Sequence, residues 1–345
     1  MKVMAFTPIS ELGEFGLIDK LASKFSLRNA DLLAKGIGDD AAVIRLGNEQ
    51  ALLVSTDMLV EGVHFDLAYM PLRHLGYKAV AVNLSDIFAM NGIPYGVTVS
   101  VAMSNRFTVE AVEELYEGVK LACDTWNVDL IGGDTTGSTQ GLSISVTALG
   151  QARESEVVYR SGAQPNDLIC VTGDIGSAYA GFLILDREKE TFLSNPDMQP
   201  DLTDYDYVIG RQLKPEPRGD VIQRLREIGV QPTAMMDISD GLASELLHIC
   251  KQSEVGISIY MDKLPIDYQT IRVAEEFKIA QGTFALNGGE DYELVFTVPL
   301  AFYNQIKEEK EVHIIGKTTD EPEQREVLLD GGGVSPLKAQ GWKHF

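Results

Sequence analysis

Carboxylates recur in this chain beside a glycine or a hydroxyl, each time at the end of an apolar run. They are Asp39 and Asp40 in Gly36-Ile37-Gly38-Asp39-Asp40, Asp57 in Ser55-Thr56-Asp57, Asp86 in Asn83-Leu84-Ser85-Asp86, Asp134 in Gly132-Gly133-Asp134-Thr135, and Asp237 with Asp240 in Asp237-Ile238-Ser239-Asp240-Gly241. Such oxygen ligands suit hard divalent cations. Mg²⁺ in particular binds few protein carboxylates, keeps water and draws on substrate phosphate oxygens for the rest. Converged on one cleft, these turns would hold several ions and suit phosphoryl transfer, where catalysis is mainly positioning and charge neutralisation. Taken singly, each has a plainer reading. A Ser-Thr-Asp trio closes turns, Ser239 or Asp240 can N-cap a helix, adjacent acids sit in solvated turns, and Asp86 in an apolar segment can be satisfied by a hydrogen bond.

The bulk composition narrows the partners. With 51 acidic against 29 basic side chains the net charge is −22. A surface of that sign repels nucleic acid and anionic membranes, so neither is expected as a partner. A phosphate substrate would then be neutralised by divalent cations more than by Lys and Arg. Cys123, Cys170 and Cys250 are far apart and form no C-x-x-C, as in a reducing, cytoplasmic compartment. The five histidines show no zinc spacing. The first 16 residues do not read as a signal peptide, and no run of 18 apolar residues predicts a membrane span.

The elements that must carry these residues alternate along 345 residues, enough for two domains. In the first half, Phe15 to Ala22 has helical spacing, Val43-Ile44 pairs with strand 51–54 across Gly47-Asn48, and Tyr77 to Gly92 reads as a buried helix. Val97–Val101 is a strand and Thr108–Trp126 an amphipathic helix with Tyr116 on its apolar stripe. Strand 128–131 enters a Gly-rich turn at 132–138, and Leu142–Leu149 is the closing strand. Charged residues 153–160 and the turn cluster 161–167 mark a boundary. The second half restarts at strand 168–171 and helix 177–185, followed by a polar loop at 187–205. Helices at 214–228, 242–252, 268–278 and 302–310 and strands at 257–261, 294–296, 313–316 and 327–329 complete it. Gly173-Asp174-Ile175-Gly176 is read as an ordinary strand-to-helix joint. The expectation is two mixed α/β domains of α+β type, 1–150 and 151–345.

No standard nucleotide motif is present. Gly316-Lys317-Thr318 ends like a P-loop, but the earlier glycine position is Glu311. Kinase-type H-R-D and D-F-G sets are absent. The ordered set of acidic turns, with His64, Arg160-Ser161-Gly162-Ala163 and Gly288-Gly289-Glu290-Asp291-Tyr292-Glu293, resembles the thiamine-monophosphate kinases over nearly the whole chain. That resemblance implies the two-domain fold of the aminoimidazole-ribotide-synthetase-like ATP-binding enzymes, with a homodimer formed through N-terminal-domain strands. It implies an N-terminal domain for ATP, Mg²⁺ and dimerisation, and a C-terminal domain that completes the cleft.

The implied activity is phosphorylation of thiamine monophosphate by ATP, the last step to thiamine diphosphate, by direct in-line transfer with no covalent or general-base residue. Carried over residue by residue, Asp40, Ser55, Thr56, Asp57, Asp86, Asp134, Asp237 and Asp240 would hold several Mg²⁺. Tyr116, Gly133, Asp134, Arg160 and Ser239 would contact ATP, and His64, Glu290 and Trp342 thiamine monophosphate. Trp342 offers a face to a cationic heterocycle and Glu290 an acceptor for its amine. Sibling synthetases are the first rival. The N-terminal segment lacks the cysteine expected of a selenophosphate synthetase, the chain ends in Phe345 where a hydrogenase-maturation relative would end in Cys, and the 83–86 and 289–293 wording fits aminoimidazole-ribotide synthetase less well. A non-catalytic acidic metal-binding protein is the second, and no EF-hand loop supports it.

Overall fold

A computed structural model of the chain describes residues 8–341. Trp342, one of the expected substrate contacts, lies outside the described residues. The first domain comprises α1 (Gly13–Ala22), β1 (Leu33–Lys35), β2 (Ala42–Gly47), β3 (Gln50–Val60), α2 (Leu72–Ala89), β4 (Ile93–Met103), α3 (Val109–Trp126), β5 (Asp129–Gly137) and β6 (Leu142–Arg153). Among the described residues its strands form one sheet in the order β1-β2-β3-β6-β4-β5. The second domain follows with β7 (Leu168–Thr172), α4 (Ser177–Ser194), α5 (Asp206–Leu213), α6 (Gly219–Glu227), β8 (Ala234–Asp237), α7 (Leu242–Ser253) and β9 (Gly256–Tyr260). It ends with α8 (Tyr268–Phe277), α9 (Gln281–Asn287), β10 (Leu294–Val298), α10 (Tyr303–Ile306), β11 (Val312–Thr319), β12 (Arg325–Leu328) and β13 (Val334–Pro336). Its sheet has the order β13-β12-β9-β11-β7-β10-β8. Two mixed α/β domains are therefore what the sequence pattern folds into. Among the described residues no helix is long and apolar enough to cross a membrane.

Period-two alternation in the second sheet joins the domains. Cys170, Met235, Leu294 and Phe296 face one way, into the core that contains Leu53, Leu84 and Ile87 of the first domain. Ile169, Val171, Met236 and Val295 face the other way, onto Leu242, Leu246 and Ile249 of α7. α2 is buried almost all round, which explains its run of alanine and valine. It lies under the first sheet and against the second domain, and Asp86 in its last turn is half-buried.

Several expectations need correction. Ser55-Thr56-Asp57 does not follow a strand at 51–54 but lies within β3, which runs on to Val60, and the helix expected at 302–310 is reduced to the four residues of α10. Gly132 to Ser138 is not a turn: β5 runs through Gly137, paired in parallel with β4. The glycines serve close strand approach, since a Cβ on Gly133 would stand 1.9 Å from the Val99 carbonyl oxygen. The 187–205 segment is not all loop. α4 continues to Ser194, held by Lys189 Nζ to Asp66 at 3.1 Å and an Arg187–Glu276 pair. Neither Ser239 nor Asp240 caps α7, whose N-cap is Gly241 without a side-chain bond; Asp240 N instead donates to Glu245 Oε1 at 2.8 Å.

α1 docks on α7 across the domains. The Phe15 and His248 rings lie 4.1 Å apart, and Lys251 pairs with Asp19 at 2.9 Å. Burial first, then the charges of Arg160 and Lys251, push His248 down to about 4. The unfolded chain binds that proton near pH 6.5. The contribution of neutral His248 is thus complete above 6.5 and is lost as pH falls toward 4. His248→Leu is expected to flatten this part of the acid limb in denaturant titrations at pH 7, 5.5 and 4.5. An unchanged pH slope would contradict the docking electrostatics.

Candidate active site

Asp40, Asp86 and Asp237 meet where the two domains face each other. Each offers a carboxylate oxygen, and the three oxygens lie within 4.8 Å of one another. Asp40 comes from the turn before β2, Asp86 from the last turn of α2, and Asp237 from the end of β8. Three acids so close would relax by protonation or by capture of a cation. Burial and mutual repulsion act accordingly. Asp40 is raised to about 6 by burial, against the opposing Arg160 charge. Asp237 is raised to about 8 by burial and by Asp40 and Asp57, opposed by the nearby Ser85 hydroxyl and by Arg160. Asp86 is pushed well above the usual carboxylate range by burial and then by Asp57, Asp237 and Asp40. The negative end of α2 adds to its difficulty.

Arg160 supplies a strong counter-charge to this cluster. Arg160 donates to Asp40 Oδ1 through Nη2 at 2.7 Å and Nε at 3.2 Å, while its backbone N–H donates to Asp39 Oδ1 at 3.0 Å. The other Asp40 oxygen, Oδ2, is buried without a hydrogen-bond partner. An orphaned buried acceptor beside two further carboxylates fits a hard divalent cation with oxygen ligands. The donor set thus passes the test for Mg²⁺ on its own chemistry.

The remaining expected ligands surround the trio unevenly. Ser55 Oγ donates to Asp86 Oδ2. Asp57, two residues on along β3, stands at the open end; the surrounding protein and the Glu14 charge raise its carboxyl. Its backbone N–H is tied to Asn83 Oδ1 at 2.9 Å, fixing β3 against α2. Thr56 projects to the opposite side of the strand, its hydroxyl donating to Val146 O at 3.1 Å. Asp240 is half-buried beside Glu245, whose carboxyl is raised by burial and by the Asp240 charge.

Asp134 belongs to a different part of the surface. Register places Asp57 opposite Val146, Val146 opposite Val99, and Val99 opposite Gly133. Asp134 is therefore about three inter-strand spacings from Asp57, roughly 14 Å. Gly133, Asp134 and Tyr116 line an open pocket of about 520 Å³ with Val99, Leu130, Ile131, Gly132 and Thr135. The expected ATP contacts thus divide into this pocket, which holds Tyr116, Gly133 and Asp134, and the domain junction, which holds Arg160 and Ser239. Ser239 is half-buried, and its carbonyl accepts from Glu290 N at 2.7 Å.

His64 accepts from Val60 N at Nδ1, 3.1 Å away, so the proton of the neutral ring resides on Nε2. In the Gly288–Glu293 turn the three acids separate by role. Asp291 accepts from the N–H groups of Gly176 and Ala178 at 2.6 and 3.1 Å, anchoring the start of α4. Glu293 is buried against Arg211 and Arg218, both at 3.0 Å. Glu290 alone turns toward α2, where it meets Lys78. Lys78 carries no role in the sequence pattern, and Asn83 is legible there only as part of the Asn83-Leu84-Ser85-Asp86 motif; the signal for Lys78 is a lysine within an alanine–valine helix.

A fold of two such domains, with carboxylates converging at their junction, defines a class. The family model for the N-terminal domain of AIR synthase related proteins matches residues 38–152, and that for their C-terminal domain matches residues 164–328. Thiamine-monophosphate kinase of Bacillus subtilis (strain 168) is 38% identical over 315 residues, covering 90% of this chain and 93% of the relative. That of Aquifex aeolicus (strain VF5) is 36% identical over 338 residues, covering 98% and 99%. The solved structure of AaThiL complexed with AMPPCP and TMP superposes with a TM-score of 0.82 at 32% identity, covering 99% of both chains. The chain belongs to the thiamine-monophosphate kinase family.

Electrostatic crowding makes a direct prediction. Asp237→Asn is expected to raise the melting temperature of metal-free protein by a few degrees, the scale of ~1 kcal/mol. The stabilisation that Mg²⁺ gives the wild type should vanish in the variant. A variant that Mg²⁺ still stabilises in full would remove Asp237 from the ligand set.

Proposed function

We propose that the chain transfers the γ-phosphoryl group of ATP to thiamine monophosphate, giving thiamine diphosphate and ADP. An oxygen of the acceptor phosphate forms the new bond to phosphorus in line as the bond to the β–γ bridging oxygen breaks, and ADP leaves. The observation that carries this reading is the junction trio of Asp40, Asp86 and Asp237, with its orphaned Asp40 oxygen. Mg²⁺, when bound there, supplies neutralisation of phosphate charge.

The chain's own residues then have separate tasks. Asp40, Asp86 and Asp237 form the core of the cation set, with Ser55, Thr56, Asp57 and Asp240 around it, and Asp134 would hold a cation separately at the pocket beside β5. Since the Thr56 hydroxyl faces away from Asp57 along the strand, its backbone carbonyl is the group to offer. Arg160, fixed by Asp39 and Asp40, presents its charge at the junction, near Ser239. Tyr116 and Gly133 line the pocket at the sheet edge and take the far end of ATP. His64, Glu290 and Trp342 orient thiamine monophosphate. In domain terms, 1–150 carries the nucleotide and 151–345 closes the cleft.

The active form we infer is a homodimer. β5 is the edge strand of its sheet and is exposed along its whole length, with Leu130 and Ile131 open to solvent at 44% and 55%. An apolar edge that carries ligand-binding glycine and aspartate is a poor surface to leave bare. A second copy over β5 would cover it and close the open pocket beside it. The three cysteines are free and buried, in accord with a reducing cytoplasm.

The test is to incubate the protein with ATP, Mg²⁺ and thiamine monophosphate and to separate the products. Thiamine diphosphate and ADP in equal amounts are expected; ADP without diphosphate, or neither, overturns the reading. Asp57→Asn should keep the fold and lose transfer by about 100-fold or more, the scale of removing one charge-stabilising group. Normal turnover by that variant would contradict the metal assignment.

A further inference from the structure

Lys78 is a charged side chain set among alanines and valines, and it is fully buried. Its ammonium donates to Glu290 Oε2 at 3.0 Å and to the backbone carbonyl of Gln212 at 3.2 Å. Gln212, itself 3% exposed, donates Nε2 to the same Glu290 oxygen at 2.7 Å. One carboxylate oxygen therefore takes a donor from α2 of the first domain and another from α5 of the second. The Glu290 side chain is 30% exposed, whereas that of Lys78 is 1% exposed. A ligand can reach the carboxylate but not the lysine.

The geometry of Gln212 adds an independent sign. A carboxylate only accepts, so the amide nitrogen must be the atom that faces Glu290. The amide oxygen, Oε1, then turns away, and it is buried with no hydrogen-bond partner. Leaving a buried acceptor unpaired is unfavourable, so the contact with Glu290 holds the amide in this orientation at a cost. The turn does not need Glu290 for its own architecture, because Asp291 anchors α4 and Glu293 pairs with the two arginines. Its backbone is nevertheless held in an uncommon state, with Glu290 at φ 59° and Tyr292 at φ 52°. Gly289 packs against Ser239, whose carbonyl oxygen would stand 2.7 Å from an added Cβ. Uncommon backbone maintained around a partly exposed carboxylate is a mark of function.

We propose that Lys78 is a positioning residue for substrate recognition. With Gln212 Nε2 it pins one oxygen of Glu290, so that the other Glu290 oxygen is aimed as the acceptor for an N–H group on a heterocycle. The inference rests on the reading of Glu290 as a substrate contact. For thiamine monophosphate the matching group is the exocyclic amine of the pyrimidine, and an oxo group at that position would meet an acceptor and be refused. The domain junction thereby sets substrate specificity as well as cation binding.

The test compares wild type with Lys78→Met, Glu290→Gln and the double variant. It uses KM values for both substrates and calorimetric binding of thiamine monophosphate and of oxythiamine monophosphate, in which an oxo group replaces the amine. Lys78→Met should raise KM for thiamine monophosphate about tenfold or more, the effect of losing a charge-assisted hydrogen bond. It should leave KM for ATP within about twofold and erase the preference for the amine-bearing ligand. In the Glu290→Gln background the same change should add less than about twofold, because Lys78 acts through Glu290. The double variant removes both charges of the buried pair, so it keeps the comparison available if Lys78→Met alone fails to fold. Equal changes in KM for both substrates, or full additivity in the double variant, would overturn the proposal. So would an intact preference for the amine in folded Lys78→Met. A wild type that binds thiamine monophosphate without phosphorylating it removes the proposed reaction and leaves calorimetry to judge Lys78; a wild type that binds neither analogue overturns both.

Discussion

Repulsion among Asp40, Asp86 and Asp237 is the constraint on which the rest of the molecule depends. Bringing three carboxylates within 4.8 Å in a buried place opposes folding unless positive charge joins them. Arg160 meets one oxygen of Asp40 and leaves the other without a partner. The packing must therefore hold the trio together by other means. It does so with elements that are rigid for apolar reasons: α2, buried almost all round, and β8, buried along its length. The core that stabilises these elements is continuous between the domains. Hydrophobic burial in two sheets thus stabilises an electrostatic arrangement that would not assemble by itself, as expected where function and stability compete.

The same junction carries a second buried charge arrangement of opposite character. Lys78 and Glu290 neutralise one another, and Gln212 completes the bonding of their shared oxygen. One side of the junction is thus short of positive charge, and the other is balanced but short of one hydrogen-bond donor. In the proposed reading phosphate-bridging cations would answer the first deficit, and a ring amine would meet the Glu290 oxygen that Lys78 does not hold. ATP would reach from the trio toward the pocket at β5, across a sheet whose register sets the separation.

Much of this was legible in the sequence because the local signals agreed. The alternation of strands and helices, the buried character of α2 and the strand at 51–54 within β3 all follow from patterning, and the order of the motifs gave the family. What escaped was decided by contacts distant in sequence. Gly132-Gly133-Asp134 carries turn chemistry, yet β5 continues because β4 passes so close that only glycine fits at 133. The 187–205 segment is polar, but Asp66 and Glu276 supply partners that extend α4. Ser239 and Asp240 look like helix caps, and Glu245 reaches back to take the backbone bond instead. The Lys78–Glu290 pair spans 212 residues, and no local pattern announces it.

The most direct test of the central claim is to locate the cation. Crystals grown with Mn²⁺ in place of Mg²⁺ and a non-hydrolysable ATP analogue would report it through anomalous scattering. A strong peak is expected among the carboxylates of Asp40, Asp86 and Asp237, within coordination distance of the Asp40 oxygen that lacks a partner. Peaks confined to the outer surface, with the trio empty and its carboxylates hydrogen-bonded to one another, would contradict it.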